Sequence, residues 1–148
     1  MESQHRLVCS CDPAITDHGP APFATNIVRA ASKNQSFRTA FWTGEHLQMT
    51  LMELGPCGEI GAERHPDTDQ YIRVEAGRAL VRAGHSAEHL EDSCCLCPGD
   101  AVFVPAGTWH NIKNVGKGRL KLSSTYAPPH HPRGTVHPTR ADAAGGGR

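Results

Sequence analysis

Residues 99–114 read Gly99-Asp-Ala-Val-Phe-Val-Pro105-Ala-Gly107-Thr-Trp-His110-Asn-Ile-Lys-Asn114, the most informative stretch of the chain. The continuous apolar run at 101–104 is typical of a buried strand, and the Pro-Ala-Gly that follows favours a tight turn. His110 begins the next strand. Alternate side chains of a strand share one face, so His110 and Ile112 point the same way, into the interior. The stretch predicts a strand, a turn and a second strand that directs a histidine inward.

Short apolar runs of the same kind recur along the chain, whereas long helical periodicity is absent. They lie at residues 47–51, 71–74, 79–81 and 120–122, and many of the 15 glycines and 11 prolines fall between such runs. Many short strands with regular turns are typical of a sandwich or a barrel. We therefore predict an all-β fold.

Composition narrows the functional classes. The chain has 148 residues, enough for one domain, and 15 basic residues balance 15 acidic ones. No net field favours nucleic acid or a membrane surface. No apolar run reaches the roughly 18 residues of a membrane helix, and the first 20 residues lack the basic-then-apolar pattern of a secretory leader. We expect a cytoplasmic protein without nucleic-acid or membrane partners.

The two ends of the chain differ from its centre. Residues 1–25 contain three prolines and no periodicity, and the tail is rich in glycine and alanine. We predict a flexible N-terminal arm at 1–25, a barrel domain at 26–140 and a disordered tail at 141–148. The cluster Cys94, Cys95 and Cys97 lies in a predicted surface hairpin extension, and its spacing is not that of a structural zinc site. Packing and soft-metal binding both remain open for it.

The spacing of the first stretch resembles the second sequence motif of the cupin superfamily. Its fixed positions, Gly, Pro, Gly, His and Asn, are occupied by Gly99, Pro105, Gly107, His110 and Asn114. The resemblance implies a small antiparallel jelly-roll barrel with a metal ion at its centre. It also implies that His110 is one of the metal ligands.

The first cupin motif normally supplies His-x-His, then Glu, then Gly. Counting back from Gly77 assigns these ligand positions to Glu63, His65 and Gln70. Two of the three usual ligands are replaced, but each replacement keeps a donor atom, since Glu63 offers a carboxylate and Gln70 an amide oxygen. With His110, the resemblance implies one divalent transition metal ion, which the donor set leaves open as Mn, Fe, Zn, Ni or Co.

Strand parity supports this assignment. Glu63 and His65 lie two residues apart and face the same way, and Gln70 shares a face with the apolar residues at 72 and 74. Asp67 and Asp69 lie in the intervening turn and are fallback ligands. On the last strand Tyr126 shares the inward parity, which makes its phenol a candidate catalytic hydrogen-bond donor or acid.

A narrower resemblance extends over residues 24–142. The runs at 41–44, 47–51, 63–66, 69–75 and 126–137 resemble the small single-domain cupins labelled mannose-6-phosphate isomerase-like. This group implies a metal-dependent enzyme, isomerase-like or oxygenase-like, acting on a small molecule. Fold does not determine the reaction, so a non-catalytic binding or sensing cupin is the alternative. Trp109 and residues 37–41 suggest a homodimer, and His131 and His137 flank a proline-rich strap that we expect to lie near the pocket.

Overall fold

The computed structural model describes residues 6–145 and confirms an all-β protein with few helical residues. Its strands are β1 Val8–Ser10, β2 Phe23–Thr25, β3 Arg38–Thr43, β4 Gln48–Leu54, β5 Asp69–Ala76, β6 Ala79–Gly84, β7 Asp92–Leu96, β8 Ala101–Val104, β9 Trp109–Asn114, β10 Leu120–Ala127 and β11 Val136–His137. Its helices are α1 Ile27–Lys33 and α2 Arg140–Gly145. No helix among the described residues is both long and apolar enough to cross a bilayer.

Two antiparallel sheets form the jelly roll. The larger has the strand order β11-β3-β4-β10-β5-β8, and the smaller has the order β7-β6-β9. Apart from β3 and β4, neighbours in the larger sheet are not consecutive in sequence, as β10 between β4 and β5 shows, so the fold depends on long-range pairing. The short strands β1 and β2 form a separate parallel pair.

The inward face of the larger sheet is polar at one end of the barrel and apolar at the other. Gln48, Tyr126 and Gln70 lie opposite one another on β4, β10 and β5, and all are at least 95% buried. Two rows farther along, the opposed residues are Met52, Leu122 and Val74. The apolar rows pack into the hydrophobic core, and the buried polar groups are concentrated at the other end of the barrel, where burial of polar side chains calls for partners.

The outer face of β3 and β4 is covered by α1 and the N-terminal arm. Phe41 and Leu51 pack against Ala30 and Ala31 of α1, and Phe23 of the arm joins them. Residues 8–25 therefore pack on the barrel, unlike the loose arm expected from composition, because their few apolar side chains cover an otherwise exposed sheet face. Phe41 is also unavailable to the predicted dimer interface, because it is 1% exposed within the single chain.

The segment between β6 and β8 is a surface extension, as the sequence predicts. Strand β7 is the edge of the smaller sheet, and Cys94 and Cys95 on it are exposed with free thiols. At the other end of the chain, α2 occupies 140–145, part of the predicted disordered tail, and residues 146–148 lie outside the described part. The predicted domain boundaries remain predictions.

Candidate metal centre

Three of the predicted ligands meet where the loop before β5 runs beside the start of β9. Glu63 and His110 form an isolated antiparallel bridge, in which each N–H donates to the other's carbonyl at 2.9 and 3.0 Å. The His65 carbonyl accepts from the Gly107 N–H at 2.8 Å, which ties the same loop to the turn preceding His110. Backbone pairing therefore holds these side chains at the polar end of the barrel.

The side-chain atoms of Glu63, His65 and His110 are spaced like ligands of one ion. Glu63 Oε1 lies 3.4 Å from His65 Nε2 and 3.4 Å from His110 Nε2, and the three donor atoms all lie within 4.8 Å of one another. An N–H···O hydrogen bond is usually about 2.7–3.2 Å long. Two atoms about 2.1 Å from a shared ion are about 3.0–3.4 Å apart at octahedral and tetrahedral angles. The observed separations fit shared coordination better than hydrogen bonding.

The hydrogen-bond inventory supports the same donor set. Glu63 Oε1, His65 Nε2, Gln70 Oε1 and His110 Nε2 are all buried atoms with no hydrogen-bond partner among the described residues. Buried polar atoms are rarely left unsatisfied, because the lost hydration is not replaced. These orphaned atoms are one from each of the four predicted ligands. The residues present therefore fit a divalent metal ion.

Two neighbouring contacts orient these donors. His110 Nδ1 lies 2.9 Å from the Thr108 carbonyl, which can only accept, so the neutral ring has its proton on Nδ1 and its lone pair on Nε2. Gln70 Nε2 donates to Ser124 Oγ at 2.8 Å, which identifies Oε1 as the free end of the amide. Such outer contacts are typical of metal sites, where they fix ligand orientation.

Glu63 is a carboxylate held between two imidazoles. Burial alone would raise the pKa of its carboxyl, but His110 and His65 outweigh burial and hold that pKa well below its ordinary value. Glu63 is therefore an anion at neutral pH. It supplies the single formal negative charge of the donor set.

The remaining sequence candidates divide into one neighbour of the cluster and two residues outside it. Tyr126 is 1% exposed, its ring centroid lies 5.6 Å from that of His65, and burial raises the pKa of its phenol, which stays protonated at neutral pH. Asp67 is exposed, and Asp69 Oδ1 accepts the Ala106 N–H at 2.9 Å. Neither aspartate belongs to the cluster of donor atoms.

Sequence reasoning did not identify His130, whose ring covers His65. The two ring centroids are 4.2 Å apart, and the strap that carries His130 is anchored from inside the barrel. Gln48 Oε1 accepts the N–H groups of His130 and His131 at 3.1 and 2.9 Å, and Gln48 Nε2 donates to the His131 carbonyl. The Pro-Pro-His-His-Pro run indicates a stiff strap. Its attachment to Gln48 could not be read from that run, because the bonded residues are 82 or more positions apart.

A cavity of about 480 Å³ opens beside the cluster. Glu63, His65 and His130 line it on the side of the candidate ligands. Phe37 and Ile60 form an apolar part of its wall. Three cationic residues also line the cavity, namely Arg38, Arg64 and Arg140. The cavity has room for a small molecule within reach of the donor set.

Comparisons with known proteins agree with this architecture. The Cupin domain family model matches residues 50–126. The uncharacterized protein YrkC of Bacillus subtilis (strain 168) is 54% identical over 129 residues, which are 87% of this chain and 69% of that protein. The uncharacterized protein L612 of Acanthamoeba polyphaga mimivirus is 36% identical over 126 residues, covering 84% and 77% of the two chains. The crystal structure of BH2720 from Bacillus halodurans is 50% identical, covers 88% of this chain and 99% of its own, and superposes with a TM-score of 0.87.

Proposed function

The chain belongs to the cupin domain family, and from this premise we propose that it binds one divalent transition metal ion and acts as a metal-dependent enzyme on a small molecule. Glu63, His65, Gln70 and His110 would hold the ion. The observation that carries the proposal is that each of these residues directs one buried, unpartnered donor atom to the polar end of the barrel. We also propose that the chain belongs to the mannose-6-phosphate isomerase-like group of small single-domain cupins.

The chemistry proposed for the site is isomerase-like or oxygenase-like. A divalent ion in this site supplies Lewis-acid or redox chemistry. The chain itself contributes the Tyr126 phenol, which is protonated at neutral pH at its ordinary pKa of 10.0 and whose pKa burial raises further. Tyr126 packs beside His65, so we assign it the role of a hydrogen-bond donor or acid toward the substrate. His130, carried by the strap, packs against His65 at this end of the barrel and lines the cavity.

Metal content measured by mass spectrometry tests the proposal. We expect one ion per chain in the parent protein and loss of that ion in His110→Ala. His89→Ala is the matched control, because His89 is an exposed histidine outside the cluster. At a metal concentration of about 100 times Kd, binding adds about 2.7 kcal/mol of stability. This gain raises Tm by about 5–11 °C for a chain of this size.

A parent protein that takes up none of Mn, Fe, Ni, Co or Zn after reconstitution would contradict the metal site. Tyr126→Phe separates the enzyme from the alternative. It removes the phenol oxygen and keeps the ring that packs on His65. An enzyme would keep its metal and lose about 10²–10⁴-fold of turnover in this variant.

The alternative function is a non-catalytic binding or sensing module. One observation favours it: among the described residues that line the cavity, Glu63 is the only carboxylate, and the donor set already uses it. A separate carboxylate base is therefore not supplied by this wall. A binding module would keep its ligand affinity in Tyr126→Phe and would show no turnover in either protein.

We also propose a cytoplasmic homodimer. The exposed free thiols of the chain support a reducing compartment. Trp109 is half-buried with the Arg64 guanidinium 5.7 Å from its ring, so it is a weaker interface candidate than the sequence suggested. Phe103 on the edge strand β8 is 77% exposed and lies beside Tyr71, which supports that face as the contact between copies.

A further inference from the structure

Arg38 is the only lysine or arginine among residues 6–145 that is buried. It begins β3 and is 5% exposed, yet no carboxylate of the described residues lies within 4.0 Å of its guanidinium. By contrast, Lys121 is paired with Glu53, and Arg73 is paired with Glu75. A buried cation without a counter-ion is unfavourable, because water no longer solvates the charge.

The contacts of Arg38 leave one edge of its guanidinium free. Nη1 lies 3.3 Å from His137 Nδ1, and the guanidinium carbon lies 5.2 Å from the Phe37 ring centroid. Nε is buried and has no hydrogen-bond partner among residues 6–145. The Nε and Nη2 edge of an arginine is the fork that binds carboxylate and phosphate oxygens.

The free edge belongs to a residue that lines the cavity beside the candidate metal centre. Arg64 and Arg140 also line this cavity, and Glu63 is the only acidic residue of the described lining. Three arginines and one carboxylate therefore line the described wall of this cavity, which gives it an excess of positive charge before any metal ion adds its own. The apolar wall formed by Phe37 and Ile60 suits a short carbon body.

We propose that this cavity binds a small organic acid whose carboxylate or phosphate group pairs with Arg38. This inference rests on the proposed function, because the same cavity opens onto the proposed metal ligands. The oxyanion supplies the counter-ion that the chain itself does not place at Arg38. The rest of the ligand extends toward His65 and Glu63, which line the same cavity. Arg38 is thus a specificity-determining residue for an anionic substrate.

Calorimetric titration of the full chain tests the inference, in metal-free and metal-loaded samples. The probes are pyruvate, inorganic phosphate and the neutral pyruvate analogue pyruvamide. We expect pyruvate or phosphate to bind, with the stronger of the two identifying the oxyanion, and pyruvamide to bind at least about tenfold more weakly. Arg38→Gln should weaken anion binding by about 10- to 100-fold, and Arg38→Lys by less, since lysine keeps the charge but not the fork.

Arg119→Gln is the matched control, because Arg119 is exposed, lies outside this cavity and pairs with Glu53. It should bind the probes as the parent does. Equal affinity in the parent and Arg38→Gln, equal binding of pyruvate and pyruvamide, or no anion binding at millimolar concentration would each overturn the inference. If Arg38→Gln does not fold, the Nε–H resonance of Arg38 in the parent must shift on anion addition, and an unmoved resonance overturns it.

Metal content of the same samples separates this inference from the proposed metal site. If the Arg38→Gln variant retains its metal ion but loses affinity for the anion, the result supports both the metal site and the anion site. A parent that takes up no metal but binds the anions through Arg38 contradicts the metal site alone. A parent that takes up metal but binds anions independently of Arg38 contradicts the anion site alone.

Discussion

Asn114 is the last fixed position of the second cupin motif, and its contacts indicate that it serves the stability of the fold. Its side chain is 1% exposed, and Nδ2 lies 2.8–3.1 Å from the carbonyls of Leu54, Gly55 and Gly118. Its Oδ1 accepts the Gly116 N–H at 2.9 Å. One side chain therefore satisfies backbone groups from two separate turns at the apolar end of the barrel, the turn after β4 and the turn between β9 and β10. We predict that Asn114→Ala destabilises the fold without acting on the candidate metal centre.

The magnitude follows from these contacts. Each neutral hydrogen bond contributes about 1 kcal/mol, and a buried group left without a partner costs about 1–3 kcal/mol. The two bonds that Asn114 Nδ2 can donate at once contribute about 2 kcal/mol, and removal of Oδ1 orphans the Gly116 N–H at about 1–3 kcal/mol, so the expected loss is about 3–5 kcal/mol. For a chain of this size that loss lowers Tm by about 6–20 °C.

Urea unfolding followed by tryptophan fluorescence measures the change. Asn111→Ala is the control, because Asn111 accepts a single bond, from the Gly61 N–H at 2.9 Å, and should cost about 1 kcal/mol. Metal content of folded Asn114→Ala should equal that of the parent, since His110 lies four residues away at the other end of β9. A loss below about 1 kcal/mol for Asn114→Ala would refute the hydrogen-bond reasoning.

Two further predictions concern positioning and pH. Ser124→Ala removes the hydroxyl that accepts the hydrogen bond from Gln70 Nε2, so it should lower metal affinity by about 10- to 100-fold. Competition with a chelator measures this affinity. An unchanged affinity would argue against Gln70 as a ligand. Burial alone would raise the pKa of Asp17, but hydrogen bonds from the Thr43 hydroxyl and two backbone N–H groups outweigh burial and lower the pKa. The stability from Asp17 is therefore present above its ordinary pKa near 3.8 and lost as pH falls through the lower folded value. Urea midpoints should show Asp17→Asn less stable than the parent at neutral pH, with a gap that narrows in acid; a gap independent of pH would contradict this linkage.

Much of the barrel could be predicted from the sequence, because strand parity is a local property. Gln70 and Ile72 on β5, and His110 and Ile112 on β9, are buried on the faces that alternation indicates. The tight turn before His110 follows from Pro105 and Gly107, and Gly107 has the positive φ of 85° that favours glycine. These features require only a few consecutive residues.

Features that depend on distant segments were not predictable in this way. The N-terminal arm was expected to be loose because its composition is poor in apolar residues. Its few apolar side chains, such as Phe23, nevertheless cover Phe41 on the barrel. Phe41 was assigned to a dimer interface because an apolar strand face does not reveal whether the same chain or a second copy covers it.

The order of residues along the chain thus determines which side chains face inward and which donor types stand at the cupin ligand positions, since both follow from strand alternation and short spacings. Only the tertiary structure decides which of those donors meet. It brings Glu63 to 3.4 Å from His65 and His110, places Asp67 and Asp69 outside the cluster, and lays His130 over His65. It also buries Arg38 at the cavity wall with no carboxylate of residues 6–145 within 4.0 Å of its guanidinium. The physical reason is that side-chain separations of a few ångströms are set by sheet register and loop packing between segments far apart in sequence.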